Sequence, residues 1–235
     1  MRWGVFGAVL LLVLLVACSN VPRDCAEKTD FVDRDTCILT TAIAQNESAA
    51  CSGIVNENWR IWCYSDIAVN TRAATVCEKI AAELPRAYCI KGVAEAAADV
   101  TLCLMINASA AGDECWRVLS VATNTSLCAN VAELKQRNRC YDDLGRATLD
   151  YLHCSNIVQD TEKRDSCLLR IGLKTDSVEA CDAILTPYTA EVCYINQAIQ
   201  QLDETICARI ASERVRSQCE GGVDLARQHA NRTQG

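Results

Sequence analysis

The chain has 235 residues, among them 17 cysteines, 10 glycines, 3 prolines, 2 phenylalanines and 2 histidines, and a net charge of −7. Cysteine at about 7% points to a disulfide scaffold or a metal protein, and so few glycines and prolines leave little turn chemistry for a many-stranded β protein. The acidic balance makes phosphate backbones poor partners, so nucleic acid is not expected.

Met1-Arg2-Trp3 opens the chain, and an uncharged run follows to Ala17. That run is shorter than the ~20 residues a spanning helix needs. A basic start, an apolar middle and a small residue at the end have the layout of a secretory signal. Leu15-Val16-Ala17-Cys18 then resembles the lipobox of prokaryotic lipoproteins. The resemblance implies a signal peptide over 1–17, cleavage before Cys18 and a diacylglyceryl group on its sulfur. It also implies a lipid-anchored tether over 18–24 and a chain held outside the cytoplasm, where disulfides persist. Parity agrees, because setting aside Cys18 leaves an even number of cysteines.

Those cysteines are Cys25, Cys37, Cys51, Cys63, Cys77, Cys89, Cys103, Cys115, Cys128, Cys140, Cys154, Cys167, Cys181, Cys193, Cys207 and Cys219. Steps within pairs are 12, except 13 at Cys154–Cys167; steps between pairs are 14, except 13 at Cys115–Cys128. A repeat of about 26 residues, sustained eight times, is the signature of a solenoid or array. The repeat domain is expected over 25–228, with 229–235 as a flexible tail.

Other positions keep the same time. Three residues after the first cysteine stand Ile54, Ile80, Ile106, Val131, Ile157, Ile184 and Ile210. Three before the second stand Arg34, Arg60, Arg86, Arg137, Arg164 and Arg216. Five after the second the side chain is small: Ala42, Ala68, Ala94, Ser120, Gly145, Gly172 and Ala198. These spacings are helical, not period two. Asp99, Asn124, Asp150, Ser177 and Asp203 each lie four before a first cysteine and are good N-cap residues. Pro85 and Pro187 fall between paired cysteines, where a turn is needed. Each repeat therefore reads as a short helix, a tight turn and a slightly longer helix. The expected fold is an all-α solenoid of about eight helical hairpins, each closed by a disulfide.

Two regular pairings are possible. Within a repeat, antiparallel helices bring the cysteines level. Between repeats, a mismatch of about four residues, roughly 6 Å at helical rise, exceeds disulfide geometry. The between-repeat scheme would also strand Cys25 and Cys219. The expected bonds are 25–37, 51–63, 77–89, 103–115, 128–140, 154–167, 181–193 and 207–219. The small residue after each second cysteine would let the two helix backbones approach closely enough for the bond.

Candidate chemistry is sparse. Zinc and iron–sulfur sites draw on close pairs such as C-x2-C, and none occurs, so no metal and no cofactor are expected. No serine elbow, zinc-protease motif, phosphate loop or dinucleotide fingerprint is present. His153 adjoins Cys154, but that cysteine is in phase with the repeat and expected to be bonded. The chain is not expected to be an enzyme. The six arginines could form a binding ladder, or each could serve an acidic residue or helix-end carbonyl of a neighbour. Trp59 and Trp62 are candidate partner contacts, with Trp59 expected exposed and Trp62 packed beside Tyr64. Asn46, Asn107, Asn124 and Asn231 stand in N-x-S/T sequons that could carry glycans on an exported protein.

In architecture the chain is similar to tetratricopeptide and Sel1-like solenoids, departing from the former in its period of about 26 against 34. The resemblance implies a protein-interaction scaffold facing an envelope or extracellular partner. The alternatives are a disulfide-hardened structural spacer or coat component and an envelope enzyme.

Overall fold

The computed structural model describes residues 21–107 and 109–233. Cys18 and the segment 1–17 expected to be a signal peptide lie outside them. Among the described residues there are helices and turns and no strand. Eight long helices carry the repeat: α1 (Phe31–Gln45), α2 (Glu57–Thr71), α3 (Glu83–Ala97), α4 (Ser109–Thr123), α5 (Leu134–Thr148), α6 (Thr161–Thr175), α7 (Pro187–Gln201) and α8 (Glu213–Thr233). Each of the first seven has 15 residues, and α8 has 21. Since α8 runs to Thr233, residues 229–233 are helical where a tail was expected.

Before each long helix stands a single short turn of 3 to 6 residues carrying the first cysteine, as at Ala50–Gly53, Ala74–Cys77 and Tyr151–Ser155. The sequence predicted two helices of similar length; the first is one turn only. The reason lies in how the preceding helix ends. Asn46, Arg72, Ala98, Leu149, Asp176 and Leu202 all adopt left-handed backbone, with φ between 52° and 57°. Each reverses the chain nine residues past a second cysteine, leaving only four residues before the next first cysteine. The amide after the left-handed residue donates back across the helix end, Glu47 to the Ala42 carbonyl and Ala73 to that of Ala68, each at 2.9 Å. That is the Schellman closure, built here without glycine.

The short turns are capped where expected by Asp99, Asp150, Ser177 and Asp203, whose side chains accept from backbone amides two or three residues on. Asn124 is a correction. It takes the left-handed helix-end position, φ 52°, because the step from Cys115 to Cys128 is one residue shorter and draws it back by one place. Pro85 and Pro187 also differ from expectation. Both sit in the first turn of a long helix, where a missing amide hydrogen costs nothing.

The within-repeat pairing is found. Bonds join Cys25–Cys37, Cys51–Cys63, Cys77–Cys89, Cys128–Cys140, Cys154–Cys167, Cys181–Cys193 and Cys207–Cys219, with Cα atoms 5.5–5.8 Å apart. Cys103 and Cys115 are disulfide-bonded as well. Each bond ties a turn too short to persist alone to the middle of a long helix. In the chain-entropy picture, each loop of this size contributes about 3 kcal/mol.

The chain forms two compact units, one ending at Gly112 and the other beginning at Asp113. In the first, Ile38, Ile54, Ile67, Ile80 and Val93 build the core with the cystines. In the second, Val131 and Leu144 form one cluster, and Ile157, Ile171, Ile184, Ile210 and Val223 another. The isoleucine or valine three after the first cysteine is thus a core position at Ile54, Ile80, Val131, Ile157, Ile184 and Ile210. The small residues act differently from expectation. A Cβ on Gly145 would lie 3.1 Å from the Cys154 sulfur, and one on Gly172 would lie 3.1 Å from that of Cys193. They make room for the disulfide of the following repeat, not their own.

A second joint between repeats was not foreseen. Asp35, Asp113 and Asp165, each two before a second cysteine, are buried charged groups. Asp35 accepts from the amides of Val55 and Asn56, Asp113 from Ala132 and Glu133, and Asp165 from Leu185 and Thr186, at 2.7–3.1 Å. Asn138 does the same neutrally, exchanging both bonds with Val158. Each reaches the turn of the next repeat, where the backbone amides would otherwise be orphaned. Burial works to raise the Asp165 pKa, but bonds from Thr186 and from the Leu185 and Thr186 amides, with Arg164 nearby, outweigh it and hold it below the ordinary aspartate value. Such a group stabilises the fold above the unfolded pKa of about 3.9 and ceases to do so as pH falls through the lower folded value. Asp165→Ala should therefore lose on the order of 2 kcal/mol at pH 7. Urea denaturation should show its deficit against wild type shrinking as the pH drops below about 3.9.

Candidate functional site

Asn56 starts α2 by accepting from the Trp59 amide at 3.2 Å, which fixes the rotation of the helix. Cys63, Tyr64, Ile67 and Ala68 then face the core. Trp59 lies one turn before Cys63 and so packs against that core, partly buried. Trp62 is one residue from Cys63, about 100° around the helix, and stands 51% exposed. The two tryptophans thus exchange the places expected of them. Tyr64 is buried, which raises its phenol pKa against the opposing pull of Arg60, and Lys79 stands 5.8 Å from its ring centre.

The outer face of α2 meets α3 across a groove of about 300 Å³. Ile61, Ser65, Asp66, Val69 and Asn70 line it from α2, Pro85 and Tyr88 from α3. The helices come close because residue 92 is glycine, where a Cβ would lie 3.0 Å from a Val69 methyl. Tyr88 occupies the same place in its repeat as Trp62, one before the second cysteine, and is 50% exposed. The Asp66 carboxylate, half-buried, makes no hydrogen bond or ion pair with any described residue. A carboxylate beside a tyrosine ring on a partly apolar floor is suited to holding a cationic or hydrogen-bonding group.

Several charges of the second unit are paired. Arg117 reaches Glu114 at 2.7 Å and Asp143 at 2.6 Å, bonds that raise its guanidinium pKa further above its ordinary value. Arg146 pairs with Asp142 and Asp143. Asp182 binds Arg209 at 2.6 Å and the Tyr194 hydroxyl at 2.7 Å; burial first and then this bond push the Tyr194 pKa up to about 12. A cleft of about 360 Å³ between α5 and α6 is lined by Asp142, Asp160, Glu162, Lys163, Ser166 and Arg170. Its Asp142 is engaged by Arg146, and its Asp160 caps α6 through the Lys163 amide.

Four of the six arginines serve the turns. Arg60, Arg86 and Arg216 donate to the carbonyls of Ile54, Ile80 and Ile210 in their own repeats, and Arg164 to that of Ala183 in the next. Asn46, Asn107, Asn124 and Asn231 are all exposed. His153 lies 3.8 Å from Asp150, and Cys154 is bonded to Cys167 and offers no thiolate. Among the described residues no group of three or more histidines, cysteines or carboxylates is placed to hold a metal, and no helix is long and apolar enough to cross a membrane. Asp66 and Tyr88 escaped the sequence reading, although the register shared by Trp62 and Tyr88 was there to be seen. Compared with known protein families, curated proteins and solved structures, the chain matches none.

Replacing Trp62 by alanine should leave the urea midpoint unchanged, within about 0.5 kcal/mol. Trp59→Ala should destabilise by about 2 kcal/mol through lost packing. Equal effects would contradict the placement of the two side chains.

Proposed function

We propose that this protein is an extracytoplasmic lipoprotein, anchored through Cys18, whose disulfide-stapled repeats serve as an interaction scaffold. The observation that carries the binding reading is the α2–α3 groove, which Asp66 lines with half-exposed Tyr88 while its carboxylate pairs with no described residue, and exposed Trp62 stands one helical turn before Asp66 on α2. Aromatic side chains left open to water on a rigid helical platform are the usual anchors of protein recognition. The disulfides are compatible with an oxidising compartment. The Leu15-to-Cys18 motif and the odd cysteine supply the anchor. Anchoring so close to the first repeat puts the partner at or near the membrane surface.

A photo-cross-linking residue placed at position 88 in the producing cells, with Leu225 as the control position, tests this directly. Expected is a reproducible envelope adduct at 88 and none at 225, with the wild type in the membrane fraction and Cys18→Ala released. No adduct at 88 would favour the structural spacer over the scaffold. Identical partition of wild type and Cys18→Ala would overturn the lipid anchor.

A further inference from the structure

We propose that the α2–α3 groove recognises a lysine or arginine side chain of a polypeptide partner, its cation on the Asp66 carboxylate and its stem along Trp62 and Tyr88. This deepens the scaffold reading by naming the partner's chemistry. The strongest support comes from the protein's own repetition. Asp66 stands three residues after a second cysteine, and in α5 the same register is held by Asp143. Asp143 is occupied by the chain itself, with Arg117 of the preceding repeat at 2.6 Å, Arg139 at 3.8 Å and Arg146 on its other oxygen. In α5 the carboxylate at this point of the repeat is a guanidinium site.

Around Asp66 the three arginine positions are all changed. The counterpart of Arg117 is Leu39, that of Arg139 is Trp62, and that of Arg146 is Val69. Every internal cation has been replaced by an apolar or aromatic residue while the carboxylate remains. A guanidinium or ammonium entering from outside would meet the missing charge, and it would stack on rings that attract cations through their faces. The groove, at about 300 Å³, is at the small end of ligand sites and suits one side chain. Leu84, 53% exposed in the first turn of α3 and one turn before Tyr88, offers apolar contact to a flanking residue of a peptide. The acidic chain favours approach of a basic partner.

The test uses the intact chain in detergent micelles, isotopically labelled, titrated with acetyl-Gly-Arg-Gly-amide and followed by amide chemical shifts. Expected are saturable shifts at Ser65, Asp66, Asn70 and Tyr88 and in the Trp62 indole, absent with acetyl-Gly-Gln-Gly-amide and weakened by salt. Asp66→Asn should weaken binding at least tenfold with an unchanged melting midpoint, and Trp62→Ala should weaken it as well. Asp33→Asn, an exposed carboxylate of the same unit, should bind as wild type. Equal shifts with the glutamine peptide, shifts elsewhere, or an unaffected Asp66→Asn would overturn the proposal. A chito-oligosaccharide shifting the groove in place of the arginine peptide would replace it with a saccharide site. Cross-linking at position 88 without any response to the arginine peptide would sink this inference and leave the scaffold reading standing.

Discussion

The bond between a one-turn element and the centre of the following long helix sets the terms for everything else in this fold. A turn of four residues such as Ala74–Cys77 pays the nucleation cost of a helix and gains almost no propagation. Tied to Cys89 on α3, its geometry is set by the partner instead. Once that turn is fixed, Ile80 three residues on has one place to go, the core. The next helix then starts at a defined level, and the pattern repeats. With so few aromatic residues in the chain, these cross-links offset what a modest core cannot provide.

Neighbouring repeats are joined by contacts that use the same landmark. The residue five past a second cysteine is alanine, serine or glycine because the next disulfide stands against it, at Gly145 and Gly172 with no room for more. The residue two before a second cysteine, where it is Asp35, Asp113, Asn138 or Asp165, reaches forward to the amides of the next turn. A buried carboxylate is acceptable there because two backbone donors converge on it, and it would be costly with either missing. Both joints fall in step with the cysteines, so one period governs covalent and non-covalent structure alike.

That period is why the fold was legible. Regular cysteine steps announced the repeat, and matching the two helices' levels chose the pairing. The isoleucines after each first cysteine marked the core. What escaped was whatever depended on one residue's rotation or one residue's reach. Asn124 looked like a cap until the shortened step beside it moved it into the left-handed corner. Trp59 and Trp62 differ by three positions, and only the start of α2 decides which of them faces inward. Asp66 was invisible because its meaning lies in what is missing around it; that emerges only by comparison with Asp143 and its three arginines. In a repeat protein, departures from the pattern are harder to read than the pattern.

The dependence of the whole fold on its within-repeat disulfides is tested most directly by far-UV circular dichroism melts of the purified chain, oxidised and after full reduction and thiol blocking. The oxidised chain is expected to melt cooperatively at high temperature. The reduced chain should lose most of its helical signal already at 25 °C and show no cooperative transition. A reduced chain that kept its helicity and melted at the same midpoint would contradict this dependence, and would mean that packing between the long helices alone sustains the fold.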